Sequence, residues 1–170
     1  MSLGYEQEQR LYQIVERWFD DGNAQAPSKL LDAGIVFPVA PPKIYETLPD
    51  EWDALMDNAG GITRLQNFQL EDYLEKWTRL LGYAYWLRGV WRDRVDTLER
   101  ALQYVKDYIF KEVDGGRELR GAEAGSHDVT LYVLDKLNEA KRPLNMLEGK
   151  IERWEKIEFA ISRAITNRQR

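Results

Sequence analysis

Between Trp77 and Arg94 the chain crowds rings and guanidinium groups together: Trp77, Arg79, Tyr83, Tyr85, Trp86, Arg88, Trp91, Arg92 and Arg94. An aromatic face can stack on a nucleic-acid base for about 1–3 kcal/mol, and arginine can hold phosphate, so this mixture suits a single strand. It equally suits a protein interface, where aromatic residues and arginine are enriched. In that second reading, Tyr85 and Trp86 bury the segment Ile35 to Pro42 or a second subunit. Charge supplies another signal. Residues 1–60 carry 4 basic and 11 acidic side chains, 61–125 carry 11 of each, 126–149 carry 3 against 4, and 150–170 carry 6 against 3. The last segment, with Arg163 and Arg168, is the net basic one on a chain of formal charge -5. Such an end can bind a polyanion. It can also be a helix C-terminus at which each cation offsets the macrodipole by about 0.3–1 kcal/mol.

Catalytic chemistry has few carriers. His127 is the single histidine and stands between Ser126 and Asp128. Consecutive residues point in different directions, whereas a working triad is assembled from separate parts of a fold, so the run reads as a helix cap in which Ser126 or Asp128 does the capping. Gly60-Gly61 and Gly115-Gly116 have neither a strand before them nor a Lys-Ser/Thr after them, which removes a phosphate loop and leaves helix stops. Asp50, Glu51 and Asp53 lack calcium-loop spacing and histidine partners. The expectation is a protein that is not an enzyme, with no cofactor, no metal and no small-molecule substrate.

The elements that must carry these residues are helical. Leu70, Leu74, Trp77, Leu81, Ala84, Arg88, Trp91, Val95, Leu98, Leu102, Val105 and Ile109 follow at alternating steps of four and three, a heptad seam that only Arg88 breaks. This predicts a helix from about 67 to 113, closed by Asp114-Gly115-Gly116 and roughly 60–70 Å long. After a polar connection through Gly121 and Gly125, a second helix over about 128–167 shows the stripe Val129, Val133, Leu137, Ala140, Leu144, Leu147, Ile151, Trp154, Ile157, Ile161 and Ile165. Pro143 predicts a kink or interruption near Arg142. Gly82 and Gly89, one heptad apart, cost up to about 1 kcal/mol each in a helix. That implies either a closely approaching backbone or an open outer groove.

Upstream, Glu6 to Phe19 reads as a short amphipathic helix stopped by Asp20-Asp21-Gly22-Asn23, with a new start at Pro27-Ser28 before Lys29 to Ala33 and Gly34. Ile35 to Pro42 reads as a Pro-rich extended arm. Pro49 to Asn58 reads as a helix with Pro49 in its first turn and Gly60-Gly61 beyond its end. The expected fold is therefore all-α, a long antiparallel, coiled-coil-like helical hairpin over 67–170. An acidic N-terminal segment, 1–66, completes one structural unit.

With 170 residues, 44% of them hydrophobic, the chain can bury a real core. There are no cysteines, and no run approaches the ~20 apolar residues of a membrane span, so a soluble, cytoplasmic protein without membrane contact is expected. The surplus of apolar and aromatic helix faces predicts a homo-oligomer.

One resemblance adds to this. Trp77 early in one helix, the turn Asp114-Gly115-Gly116, and Ile161-Ser162-Arg163-Ala164-Ile165 near the end of a second long helix resemble, in order and spacing, the phage recombination mediators of the UvsY type. The resemblance covers roughly residues 70–168, and the first seventy residues have no counterpart in it. It implies a ring-forming oligomer that binds single-stranded DNA and helps load a recombinase, with Arg163 carried over by position. Together with the distribution of charge and aromatics, the expected nucleic-acid contacts are Arg79, Tyr85, Trp86, Arg88, Arg92, Arg163 and Arg168. The alternatives are a helical phage structural or assembly protein, or an adaptor, that makes only protein contacts.

Overall fold

The computed structural model describes residues 3–32 and 44–169, with side chains over 3–19 and 46–169. Among these residues there are five α-helices, one short 3-10 turn and no strand, so the fold is all-α. The helices are α1 (Tyr5–Asp32), α2 (Ile44–Ala59), α3 (Asn67–Glu112), α4 (Arg117–Ser126) and α5 (Asp128–Arg168), with the 3-10 turn at Ile62–Arg64. The Ile35 to Pro42 arm expected from the prolines lies outside the described residues.

The two long helices have the limits that the apolar periodicity predicts. At the start of α3 the side chain of Gln69 accepts from the Gln66 backbone N–H at 2.9 Å, half of a capping box, while the Gln66 carbonyl accepts from Gln69 and Leu70. No proline interrupts α3, and its seam is buried at Leu70, Trp77, Leu81, Ala84, Val95, Leu98, Val105 and Ile109. Gly115, at φ 133°, turns the chain just beyond its end. A Cβ there would come within 2.6 Å of Leu119.

Four local expectations change. First, α1 does not stop at Asp20-Asp21-Gly22-Asn23 but continues to Asp32, so the new start expected at Pro27-Ser28 falls inside it. Gly22 costs about 1 kcal/mol and Pro27 about 3 kcal/mol in a helix interior, and the helix that carries them is anchored in a core by Leu11 and Val15. Second, α2 begins at Ile44, which places Pro49 inside it rather than in its first turn. The lost hydrogen bond is offset by Leu48 and Trp52, one turn apart and both buried. Third, the connection through Gly121 and Gly125 is itself a helix, α4, held by buried Ala124, whose carbonyl accepts from Thr130 Oγ1 at 2.8 Å. Fourth, α5 is not interrupted at Pro143, because Leu137, Ala140 and Leu144 around it are buried.

The cap of α5 also differs from expectation. His127, not Ser126 or Asp128, performs it: its backbone carbonyl accepts from Leu131 at 3.0 Å and its Nδ1 accepts from the Val129 N–H at 3.3 Å. Ser126 Oγ instead donates back to the Ala122 carbonyl at 2.9 Å.

The helices form two compact units. Each unit contains part of the N-terminal region and part of both long helices. The α1 unit takes in α1, α3 from Gly89 on, α4, and α5 up to Asn145. Its core joins Leu11 and Val15 to Ala101, Val105 and Ile109 of α3 and to Val129 and Val133 of α5. Val95 and Leu98 meet Leu137, Ala140 and Leu144 in a second cluster, so partners descend α5 as α3 ascends. The α2 unit takes in α2, the 3-10 turn, α3 up to Arg88, and α5 from Met146. There Trp77, fully buried, lies edge-on to Trp52 at 6.5 Å and beside Trp154 at 6.2 Å. Leu81 and Ala84 pack with Ile151, while Leu70 and Trp77 pack with Ile161, again with antiparallel order.

Candidate nucleic-acid interface

In the α2 unit, the last turns of its share of α3 expose aromatic and basic side chains. Tyr85 and Trp86 are displaced from the Leu81–Ala84 seam, Tyr85 lying along its edge where its hydroxyl still reaches α5. Tyr85 is 38% exposed, and the Arg88 guanidinium stands 5.0 Å from its ring centroid, a cation–π contact. Trp86, half-buried, lies 5.5 Å from the ring of Tyr83. These are two separate pairs on different sides of α3, Tyr85 with Arg88 and Tyr83 with Trp86.

The facing part of α5 is acidic. Tyr85 donates its hydroxyl to Glu155 Oε1 at 2.5 Å, and Thr78 donates to Glu158 Oε1 at 3.4 Å. The bond to Glu155 raises the Tyr85 pKa above the usual phenol value, with burial and the Glu155 charge adding and Arg88 opposing. Tyr85 therefore stays a neutral hydrogen-bond donor, with Arg88 over one face of its ring.

The remaining residues of the predicted set are dispersed. Arg79 is exposed and paired with Glu75 one turn earlier. Arg92 is exposed but belongs to the α1 unit. Arg163, on α5 in the α2 unit, is exposed and forms no ion pair or hydrogen bond with the described residues. Arg168 turns inward on its own unit: its Nη1 donates to Leu65 O at 2.6 Å and Asn67 Oδ1 at 3.0 Å, and its Nη2 to Thr63 O at 2.8 Å and Ile62 O at 3.4 Å. It holds the connection between α2 and α3. The structure thus brings Tyr85 and Arg88 together, pairs Trp86 with Tyr83 instead, and engages Arg79 with Glu75 and Arg168 with the connection between α2 and α3.

A Cβ added at Gly82 or Gly89 meets nothing within 4 Å, so no backbone of the described chain approaches either glycine. Two features were not legible as sites in the sequence. One is Phe159, 65% exposed on α5 of the α2 unit. Its sequence signal is an aromatic residue out of phase with Ile157, Ile161 and Ile165. The other is a cavity of about 300 Å³ in the α1 unit, walled by Trp18, Phe19 and Tyr132 and edged by Glu16, Arg94 and Lys136. No periodicity could reveal it, because three helices contribute its walls.

Among the described residues there is no group of three or more histidine, aspartate or glutamate side chains that could hold a metal ion, and no helix long and apolar enough to cross a membrane. Comparison of the chain with protein-family models, with characterised proteins and with solved structures finds no match.

Proposed function

We propose that this protein is a non-enzymatic, self-associating accessory protein of phage-type recombination that binds single-stranded DNA in the cytoplasm and assists recombinase loading, as its resemblance to the UvsY-type mediators implies. The observation that carries the reading is the partly exposed Tyr85 ring with the Arg88 guanidinium over it at 5.0 Å, an aromatic ring and a cation held together at the surface. In this reading α3 and α5 are the arms of a coiled-coil-like hairpin, a view supported within each unit by their antiparallel order of partners. Repetition of a small cationic surface around an oligomer compensates for the formal charge of -5.

The test is anisotropy of a labelled single strand at low and moderate salt. Binding should weaken with salt by about 0.7 log unit per log unit for every phosphate contacted. No binding at low salt refutes the reading.

A specific observation favours a second reading, an assembly or adaptor protein that makes only protein contacts. Arg79, Arg168 and the Tyr85 hydroxyl are already engaged inside the chain, and Glu155 and Glu158 flank the aromatic surface. That protein would self-associate with no affinity for a single strand. Light scattering combined with the anisotropy titration separates the two.

A further inference from the structure

Phe159 is one of the large apolar residues that α5 leaves in water, with Leu131, Leu134 and Met146, and it is the aromatic one among them. Ile161 is buried and Trp154, Ile157, Ala164 and Ile165 are packed in the same cluster, while Phe159 is 65% exposed. A phenyl left in water forgoes a burial contribution of roughly 1.5–3 kcal/mol, part of which a base stacked on the ring would recover. One turn further, Arg163 is exposed and has no ion pair or hydrogen bond with the described residues. Side chains at this spacing have Cβ atoms about 5–6 Å apart on one face. From Phe159 to the last residue the sequence contains no acid.

The surroundings favour a nucleic-acid partner over a protein. On its face of α5 the ring is bordered by Glu155, Lys156, Ser162, Arg163 and Thr166, all exposed. A protein interface would centre on a contiguous apolar patch, whereas a base needs a single ring and its phosphate a single cation. The acids on the N-terminal side are engaged: Glu155 accepts the Tyr85 hydroxyl at 2.5 Å, and Glu152 pairs with Lys156 at 2.7 Å.

We infer that Phe159 and Arg163 form a two-point contact for single-stranded DNA, the phenyl ring taking a base and the guanidinium the adjoining phosphate. The inference rests on the single-strand reading above and assigns to it a stacking residue on α5 besides Tyr85 on α3.

The experiment is anisotropy of a labelled oligothymidylate across a salt series, with wild type, Phe159→Ala, Phe159→Trp and Arg163→Ala. Far-UV circular dichroism and light scattering are recorded on each protein. Phe159→Ala should weaken binding roughly 5- to 150-fold at every salt concentration with an unchanged slope, and Phe159→Trp should restore it. Arg163→Ala should weaken binding and make the slope shallower by about 0.7 for each phosphate no longer neutralised. Wild-type affinity in Phe159→Ala overturns the inference while leaving the single-strand reading on Tyr85 and Arg88. Absence of binding by wild type at low salt overturns both. A Phe159→Ala variant whose assembly mass falls marks this face as a protein contact and overturns the inference whatever its affinity for DNA.

Discussion

The Nη1 of Arg168 donates to the carbonyl oxygen of Leu65 at 2.6 Å, fastening the last turn of α5 to the residues that precede α3. Three further bonds from the same guanidinium reach Asn67, Thr63 and Ile62. The backbone acceptors lie at the 3-10 turn and its exit, where the Ile62 carbonyl also accepts from the Leu65 N–H at 3.3 Å. Arg168→Ala should therefore destabilise the protein by about 1–3 kcal/mol, a solvent-discounted value for a set of charged hydrogen bonds. Arg163→Ala, which removes no such bond, should stay within about 0.5 kcal/mol of wild type. Urea unfolding of the two variants makes the comparison, and equal stability would show that the Arg168 contacts contribute nothing.

Trp77 is fully buried between Trp52 and Trp154, and its indole N–H has no hydrogen-bond partner among the described residues. Removing the whole ring leaves a cavity, so Trp77→Ala should cost about 3–5 kcal/mol. Trp77→Phe keeps most of the apolar contact and deletes a donor that was buried unpaired, so it should cost about 1–2 kcal/mol. The same pair of denaturant curves checks this, with near-ultraviolet circular dichroism reporting loss of the coupled rings. A Phe variant as unstable as the Ala variant would contradict the account.

Gly82 and Gly89 lie inside α3 with open space where a Cβ would stand. Gly82→Ala should raise stability by about 0.5–1 kcal/mol, since the gain in helix propensity meets no steric opposition. A thermal melt suffices to measure it. Loss of stability would mean that another backbone contacts this position, and a concentration series would then identify a second copy as its source.

In the α1 unit the Tyr132 hydroxyl donates to Glu16. That bond first, then burial and the Glu16 charge, push the Tyr132 pKa up to about 12. In the unfolded chain the phenol titrates near about 10. Because the folded value is the higher, the contribution is fully present below about pH 10 and is lost as pH rises from there through about 12. An ultraviolet tyrosinate titration of Tyr132→Phe should lack the latest step seen in wild type. Its stability should also fall less steeply over that alkaline interval. A wild-type titration with no step later than ordinary tyrosine would overturn the assignment.

The limits of α3 and α5 were legible in the sequence because their signals are local and redundant. A seam renewed every three or four residues from Leu70 to Ile109 admits one periodicity, and Gly115 with φ 133° is a stop that few other residues can adopt. The aromatic and arginine content of the candidate surface was legible for the same reason, since it consists of residue types at known positions on one helix. Tertiary packing decided the rest. Asp20 to Asn23, Pro49, Gly121, Gly125 and Pro143 all lie within helices, because each penalty of up to about 3 kcal/mol is smaller than the burial that neighbouring residues gain from partners far away in sequence. It also decided which arginine faces outward. Arg163 and Arg168 are alike in type and five positions apart, yet the carbonyls that engage Arg168 come from residues more than a hundred positions earlier, and only the folded α2 unit brings them within hydrogen-bonding distance.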